Sequence, residues 1–169
     1  MAVALLVGEP LATEIDGLRR ALGAAERERI PPHLTLVPPI NLREDGLVAA
    51  LDIVRRAAAE LTPFELDVGP AITFAPATPT VHLEVGGVGL SALRYLRERL
   101  VGEPPLDRPD RRPFVPHVTL AQELLPVERI PAAIETLASW TATMTFDRVH
   151  VLRNEGRRWT PFHAEKLSK

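Results

Sequence analysis

One five-residue pattern occurs twice in this chain, and it constrains the fold more than any other feature of the sequence. The first copy is Pro32-His33-Leu34-Thr35-Leu36 and the second is Pro116-His117-Val118-Thr119-Leu120. The two histidines lie 84 positions apart (117 − 33), which is about half of the 169 residues. The chain has five histidines in all, so two matches to this frame are hard to attribute to chance. The repeat indicates that the chain is built from two related halves.

Each copy of the pattern predicts a strand with a polar face and an apolar face. Residues i and i+2 of a strand point to the same side. His33 and Thr35 therefore share one face, and the aliphatic residues that follow each of them take the other. His117 and Thr119 share a face in the same way. If a two-fold axis relates the halves, the two His-Thr pairs face each other across it, while the apolar faces pack against helices.

The order of the predicted elements supports the duplication. Apolar residues recur at helical spacing in four segments, and strand-like segments alternate with them. The helical segments begin near Leu11, Leu47, Leu90 and Ile134. Each half reads β-α-β-α-β with its motif on the middle strand, and the second half adds one strand. Short α+β chains often alternate in this way, but the matching motifs favour duplication over coincidence.

We therefore predict an α+β fold in which duplicated β-α-β-α-β halves place antiparallel sheets around a central cleft, with the helices outside. The chain length suits one compact domain. That domain covers residues 1–169, and its two pseudo-symmetric lobes are approximately residues 1–76 and 77–169.

Two opposed imidazoles suit the cleavage of a phosphodiester. This reaction takes a proton from the attacking oxygen and gives another to the leaving oxygen. Histidine titrates near neutral pH, so one neutral ring and one protonated ring can coexist. The hydroxyl groups of Thr35 and Thr119 can donate hydrogen bonds to the phosphoryl oxygens as negative charge builds there. His33 and His117 are therefore the candidate acid and base.

Composition limits the partners of the chain. The formal net charge is -2, so contact with a phosphate backbone must be local, and a short substrate fits better than a long duplex. The absence of cysteine excludes disulfides, zinc–thiolate sites and cysteine nucleophiles, and it agrees with a cytoplasmic location. No apolar run approaches the ~20 residues that a membrane span requires. The apolar start, residues 1–10, lacks the basic residues of a signal peptide.

Both motif segments resemble the 2H phosphoesterase superfamily, which includes the 2'-5' RNA ligases and the RNA 2',3'-cyclic phosphodiesterases. The signature of this family is a pair of His-x-Thr or His-x-Ser motifs, one in each half, and both are intact here. The surrounding segments, PPHLTLVPPI and FVPHVTLA, are similar to the bacterial branch called 2'-5' RNA ligase family proteins. The resemblance implies a bilobal α+β fold with a central cleft, catalytic His33 and His117, phosphate-binding Thr35 and Thr119, and no metal or other cofactor.

The resemblance also implies an enzyme that hydrolyses a 2',3'-cyclic phosphate or a related RNA or nucleotide phosphodiester. The partner is then an RNA end or a small nucleotide phosphodiester, with no membrane and no metal required, and we expect a monomer. Two alternatives remain open. One is 2'-5' RNA ligase or 2'-5' phosphodiesterase activity, and the other is a non-catalytic module that binds nucleotides or RNA. The apolar segment after the first motif, residues 37–40, argues against strong binding of long RNA.

Three further residues are candidates for substrate binding. His82 lies in an alternating strand segment and reaches the cleft if that face joins it; otherwise it is an ordinary solvated or hydrogen-bonded histidine. Arg112 precedes the second motif; it either contributes positive charge at the entrance of the cleft, where it can meet a phosphate, or belongs to a solvated loop. Arg158 follows a predicted hairpin turn at residues 154–156 and stands beside Trp159, a ring that can stack on a base. No histidine pair has the spacing typical of a zinc site.

Overall fold

The computed structural model describes residues 1–24, 26–107, 113–122 and 126–169. The helices in these ranges are α1 (Leu11–Ala21), α2 (Glu26–Arg29), α3 (Glu44–Ala59), α4 (Leu90–Val101) and α5 (Ile130–Thr136). The strands are β1 (Ala2–Leu6), β2 (His33–Val37), β3 (Phe64–Thr73), β4 (Val81–Gly86), β5 (His117–Ala121), β6 (Ala142–Phe146), β7 (Arg148–Glu155) and β8 (Arg158–Lys166). None of the helices in the described ranges is long and apolar enough to cross a membrane.

The strands of the described residues form one antiparallel sheet in the order β6-β3-β4-β5-β2-β1-β7-β8. Each neighbouring pair in this order is antiparallel. The two motif strands, β2 and β5, lie side by side at its centre. The predicted α+β class with antiparallel strands is therefore confirmed, and the strands around each motif form the two halves of one continuous sheet.

The two halves of the sheet do not coincide with the two halves of the sequence. Although β3 belongs to the first half of the chain, it pairs with β4 and β6. Residues 143–152 have the alternating sequence pattern of a single strand, but the structure divides them near Asp147 into β6 and β7. β6 joins the side that contains β5, whereas β7 pairs with β1 on the opposite side. The strands of each spatial half are therefore drawn from both of the predicted ranges, 1–76 and 77–169.

The apolar faces of both motif strands are buried in the main core. Leu34 and Leu36 are 1% exposed, and Val118 and Leu120 are fully buried. The helices α1, α3, α4 and α5 add buried residues to the same core, spaced three or four positions apart. The alternation along each motif strand sends its histidine and threonine to the opposite face. One face of the sheet centre is therefore core, and the other is free to form a site.

A bulge interrupts β3 before the strand reaches the site. The register with β4 shifts between Val68 and Ala71, and Gly69 between them has a φ of 99°. A Cβ at Gly69 would collide with the backbone oxygen of Trp140, so glycine is required at this close approach. Beyond the bulge the strand leads directly to Phe74, whose ring contacts a motif histidine. β3 thus pairs with the edge strand β6 before the bulge and leads to the site after it.

Leu66 gives a direct test of this core. It is fully buried on β3, opposite Met144 of β6. Leu66→Ala should lower the free energy of unfolding by about 2–5 kcal/mol, because it removes buried apolar surface and leaves a cavity. Val48 is 71% exposed, so the control Val48→Ala should change that free energy by less than ~0.5 kcal/mol. Urea denaturation followed by circular dichroism measures both, and equal effects would contradict the packing described.

Candidate active site

The two motif strands are neighbours, and their polar side chains line one cavity. Leu34 of β2 pairs with Val118 of β5 on the core side of the sheet. The residues on either side of each point to the other face. All four predicted residues, His33, Thr35, His117 and Thr119, line one cavity of about 310 Å³. Arg19 and Trp159 line the same cavity. The structure therefore brings the two His-Thr pairs into a single polar cavity.

The same hydrogen bond orients both histidine rings. Nδ1 of His33 lies 2.8 Å from the backbone oxygen of Pro31, and Nδ1 of His117 lies 2.8 Å from the backbone oxygen of Val115. A carbonyl oxygen can only accept a hydrogen bond, so Nδ1 carries the hydrogen in each ring. Nε2 is then the atom that gains or loses a proton when the ring titrates. The duplicated unit therefore extends to the backbone oxygen two positions before each histidine.

Burial keeps both rings neutral at neutral pH. Loss of hydration lowers the pKa of His33 to about 4; the hydrogen bond to Pro31 opposes this shift, and the positive charge of Arg19, together with that of His117 when it is protonated, adds to it. Loss of hydration also lowers the pKa of His117, and the hydrogen bond to Val115 opposes it. An anionic phosphate in the cavity would raise both pKa values, because it favours the charged form of each ring.

His82 stands behind His117 and is fully buried. Its ring stacks on the ring of Phe74, with the centroids 3.8 Å apart, and lies edge-on to the ring of His117 at 5.1 Å. Phe74 also lies edge-on to His117, at 5.0 Å. Burial and the charge of His117 lower the pKa of His82 to about 4, and the backbone of Thr80 opposes this. The structure thus places His82 against a motif histidine, and a direct contact with substrate would require it to become exposed.

A second cavity, of about 620 Å³, adjoins the first and is mostly apolar. Thr35 and His117 line both cavities. The rings of Phe74 and Phe114 line the second, and the guanidinium of Arg97 lies 4.4 Å from the ring centroid of Phe114. The motif residues therefore separate a polar cavity from an apolar one. This combination suits a ligand that has a charged group beside a flat apolar group.

The two predicted arginines fall outside the cavity lining or outside the described residues. Arg158 is exposed at the start of β8, where it pairs with Glu155 across the hairpin turn. Its neighbour Trp159 lines the polar cavity instead. Arg112 lies outside the described residues. In the described part of the chain, no three potential metal ligands of the His, Cys, Asp or Glu type gather together.

Arg19 is a residue of the site that the sequence patterns did not single out. It lies on α1, is fully buried and lines the polar cavity. Its Nε and Nη2 donate to the backbone oxygen of Thr119 at 3.1 and 2.9 Å, and its Nη1 donates to the backbone oxygen of Ile30 at 2.9 Å. One signal could have found it: Arg19 follows the buried Ile15 by one helical turn, so it belongs to the buried face of α1.

Comparison with known proteins assigns this arrangement to a family. A model of the 2'-5' RNA ligase superfamily matches residues 7–158, a range that contains both motifs. The chain belongs to this superfamily. The resemblance of its motifs to the 2H phosphoesterases is thereby confirmed.

Two relatives show how far the likeness extends. A protein named "Putative phosphoesterase" from Bacillus cytotoxicus is 27% identical over 174 residues, which cover 100% of this chain and 99% of that protein. A protein of the same type of name from Oceanobacillus iheyensis is 36% identical over 95 residues, which cover 56% of this chain and 54% of that protein. The match to the second relative thus spans about half of its length.

Solved structures share the fold. A protein of Thermus thermophilus has a TM-score of 0.66 at 22% identity, and the match covers 98% of this chain and 96% of that one. LigT of E. coli, solved in complex with 3'-AMP, has a TM-score of 0.66 at 19% identity, with 99% of this chain and 97% of that one covered. At these identities the likeness concerns the fold alone.

The hydrogen bonds of the motif rings predict their tautomer. In 15N-labelled protein at neutral pH, the side chains of His33 and His117 should carry a hydrogen on Nδ1 and none on Nε2. His33 should also stay neutral on acidification to about pH 5, because its pKa is lowered to about 4. Long-range 1H–15N NMR measures both properties, and His33→Gln and His117→Gln assign the signals. A hydrogen on Nε2 of either ring, or a His33 pKa at its ordinary value, would contradict this geometry.

Proposed function

We propose that this protein is a metal-independent phosphodiesterase that hydrolyses a 2',3'-cyclic phosphate, or a related RNA or nucleotide phosphodiester, by two-histidine acid–base catalysis. The observation that carries the proposal is the placement of two His-Thr pairs around one polar cavity. Each ring is held by a backbone oxygen so that Nε2 is its titrating atom. Membership of the 2'-5' RNA ligase superfamily and the phosphoesterase names of its relatives support the same chemistry.

The proposed reaction moves two protons while one bond to phosphorus replaces another. Nε2 of His33 takes a proton from a water molecule, and the water oxygen attacks the phosphorus. The bond between phosphorus and the ribose oxygen breaks as Nε2 of His117 donates its proton to that oxygen. The products are a phosphate monoester and a free hydroxyl group. Thr35 and Thr119 donate hydrogen bonds to the non-bridging oxygens as charge builds on them.

The surroundings of the two rings support His33 as the base and His117 as the acid. Beyond its burial, His33 lies near the fixed charge of Arg19, which favours the neutral ring that a base requires. His117 lies against the rings of Phe74 and His82. Burial lowers the pKa values of His33 and His82, and the charge of a protonated His117 lowers both of them further. We therefore assign the proton that the acid must carry to His117.

The shape of the site favours a small substrate with a flat group. The apolar cavity beside the motif residues can hold a nucleobase, and it offers Phe74 and Phe114 as stacking surfaces. Trp159 offers a third ring in the polar cavity. A net charge of -2 provides little attraction for a long nucleic acid. LigT of E. coli has been solved with 3'-AMP and with NADP+, and by analogy we propose an RNA end or a small nucleotide as the partner of this chain.

Replacing either motif histidine should remove turnover. His33→Ala and His117→Ala each delete a proton-transfer group, so each should lower kcat on 2',3'-cyclic nucleotides at least ~100-fold. His163→Ala is the matched control, because His163 pairs with Val151 on the core side of the sheet and hydrogen-bonds to Glu165; it should keep activity within about threefold of the unaltered protein. Chromatography of the products, with and without EDTA, measures turnover, and circular dichroism reports folding.

The same assay separates the alternatives. Full activity in either motif variant, or loss of activity in EDTA, would contradict the proposed mechanism. Tight nucleotide binding without turnover, across cyclic phosphates and 2'-5'-linked dinucleotides, would indicate a non-catalytic binding module. Turnover confined to 2'-5' linkages would instead indicate the ligase or 2'-5' phosphodiesterase activity.

Leaving groups of different basicity test which histidine is the acid. A p-nitrophenolate ion leaves without a proton, so a variant that lacks the acid should still cleave the p-nitrophenyl ester of a nucleoside 3'-phosphate. On this ester we expect His117→Ala to stay within ~10-fold of the unaltered protein, and His33→Ala to remain at least ~100-fold slower. Release of p-nitrophenolate is followed by absorbance. The opposite pattern would exchange the two roles, and equal losses would contradict the assignment.

A further inference from the structure

The two halves of the proposed site meet along a short seam. Within the described residues, β2 and β5 pair directly at Leu34 and Val118, whereas each of these strands pairs with its other neighbour over most of its length. The strand hydrogen bonds across the seam are therefore few. Acid–base catalysis by two groups that act on one substrate depends on their separation, and a displacement of about 1 Å can cost on the order of 100-fold in rate. Some other contact is needed to hold the motif strands in place.

Arg19 provides such a contact. Its guanidinium donates twice to the backbone oxygen of Thr119 on β5, and it also donates to the backbone oxygen of Ile30 in the segment that leads to β2. A further hydrogen bond, 3.3 Å long, joins it to Asp16 on its own helix. Because the side chain is fully buried, these bonds are shielded from water. One planar group thus links α1 to backbone beside each of the two motifs.

The bonds of Arg19 lie next to the atoms that orient the two rings. Ile30 immediately precedes Pro31, whose backbone oxygen accepts the hydrogen bond from His33. Thr119 is the threonine of the second motif and lies two positions after His117. We infer that Arg19 is a positioning residue that holds the two His-Thr pairs at their working separation. This inference rests on the proposed function, because the separation matters only if the two rings act together.

The duplication places a second buried arginine at the corresponding point of α4. Arg19 follows Ile15 by four positions, and Arg97 follows Leu93 by four positions, where Ile15 and Leu93 are both fully buried. Each helix packs on the motif strand of the other half, α1 on β5 and α4 on β2. Arg97, however, lies over the ring of Phe114 in the apolar cavity. The repeated position thus lies on a helix that packs across the seam. At this position Arg19 of α1 binds backbone oxygens.

Lysine cannot replace Arg19 in this role. The planar guanidinium donates in several fixed directions at once, whereas an ammonium group is a compact charge at the end of a flexible stem. Arg19→Lys keeps the charge but cannot reproduce the bonds to both backbone oxygens. Arg19→Ala removes the group and leaves a space that a free guanidinium ion can fill. Arg20 is the matched control, because it is the exposed neighbour on the same helix.

Steady-state kinetics on the 2',3'-cyclic nucleotide that the unaltered protein cleaves test the inference. Arg19→Lys should lower kcat at least ~10-fold and change KM by less than about threefold, because it displaces the catalytic groups and leaves the apolar cavity intact. Arg20→Ala should match the unaltered protein. In Arg19→Ala, millimolar guanidinium chloride should restore kcat at least ~5-fold, and methylammonium chloride should not. An Arg19→Lys protein as active as the Arg20→Ala control, or equal rescue by both ions, would overturn the inference.

A second readout does not require turnover, so it separates failure of this inference from failure of the proposed function. The Nδ1 hydrogen of His33 is detected by 1H–15N NMR only while Pro31 is held in place to accept it. Its signal should broaden or disappear in Arg19→Lys and remain in Arg20→Ala, whether or not the protein cleaves the nucleotides supplied. An unchanged signal in a folded Arg19→Lys protein would overturn the positioning role even if the proposed hydrolysis is observed.

Discussion

The pairing of β2 with β5 is the interaction on which the rest of the structure depends. One antiparallel pair joins segments that are half the chain apart, and the two-residue period of a strand then sets all four motif side chains on one face. The register is fixed by the core, since a shift of one position would turn Leu34 and Val118 out of it and the histidines into it. The core and the site are thus two consequences of the same alternation.

The halves of the site are related by duplication but have unlike surroundings. Ala4 of β1 lies opposite Thr35, in the place where β4 presents His82 opposite Thr119. The first motif therefore has a small residue opposite its threonine and the charge of Arg19 near its histidine, whereas the second motif histidine is packed against aromatic rings. Acid–base catalysis requires two groups that differ in their affinity for a proton. Duplication supplies the opposed geometry, and the residues that differ between the halves supply that difference.

Local periodicity was sufficient to predict the class of fold, the motif strands and the face that the motif residues share. Strand partners were not predictable, because residues 143–152 have the pattern of one strand and nothing local shows that Asp147 divides them between opposite sides of the sheet.

Arg19 was missed for a related reason. A charged helix residue is normally exposed, and its burial is possible because Thr119 and Ile30 bring backbone oxygens from elsewhere in the chain. At the last hairpin, the sequence favoured the exposed Arg158 over Trp159, since alternation alone does not show which of two neighbours faces a cavity.

The pH dependence of kcat/KM on a 2',3'-cyclic nucleotide tests the central claim most directly, because it reports the proton on each ring of the free enzyme. Burial lowers the pKa of both rings, so the profile should be a bell with its maximum below about pH 6.5, rising as His33 loses its proton and falling as His117 loses its own. The residual activity of His33→Ala should lose the rising side, and that of His117→Ala the falling side. A flat profile in the unaltered protein, or a bell that survives in both variants, would contradict the two-histidine mechanism.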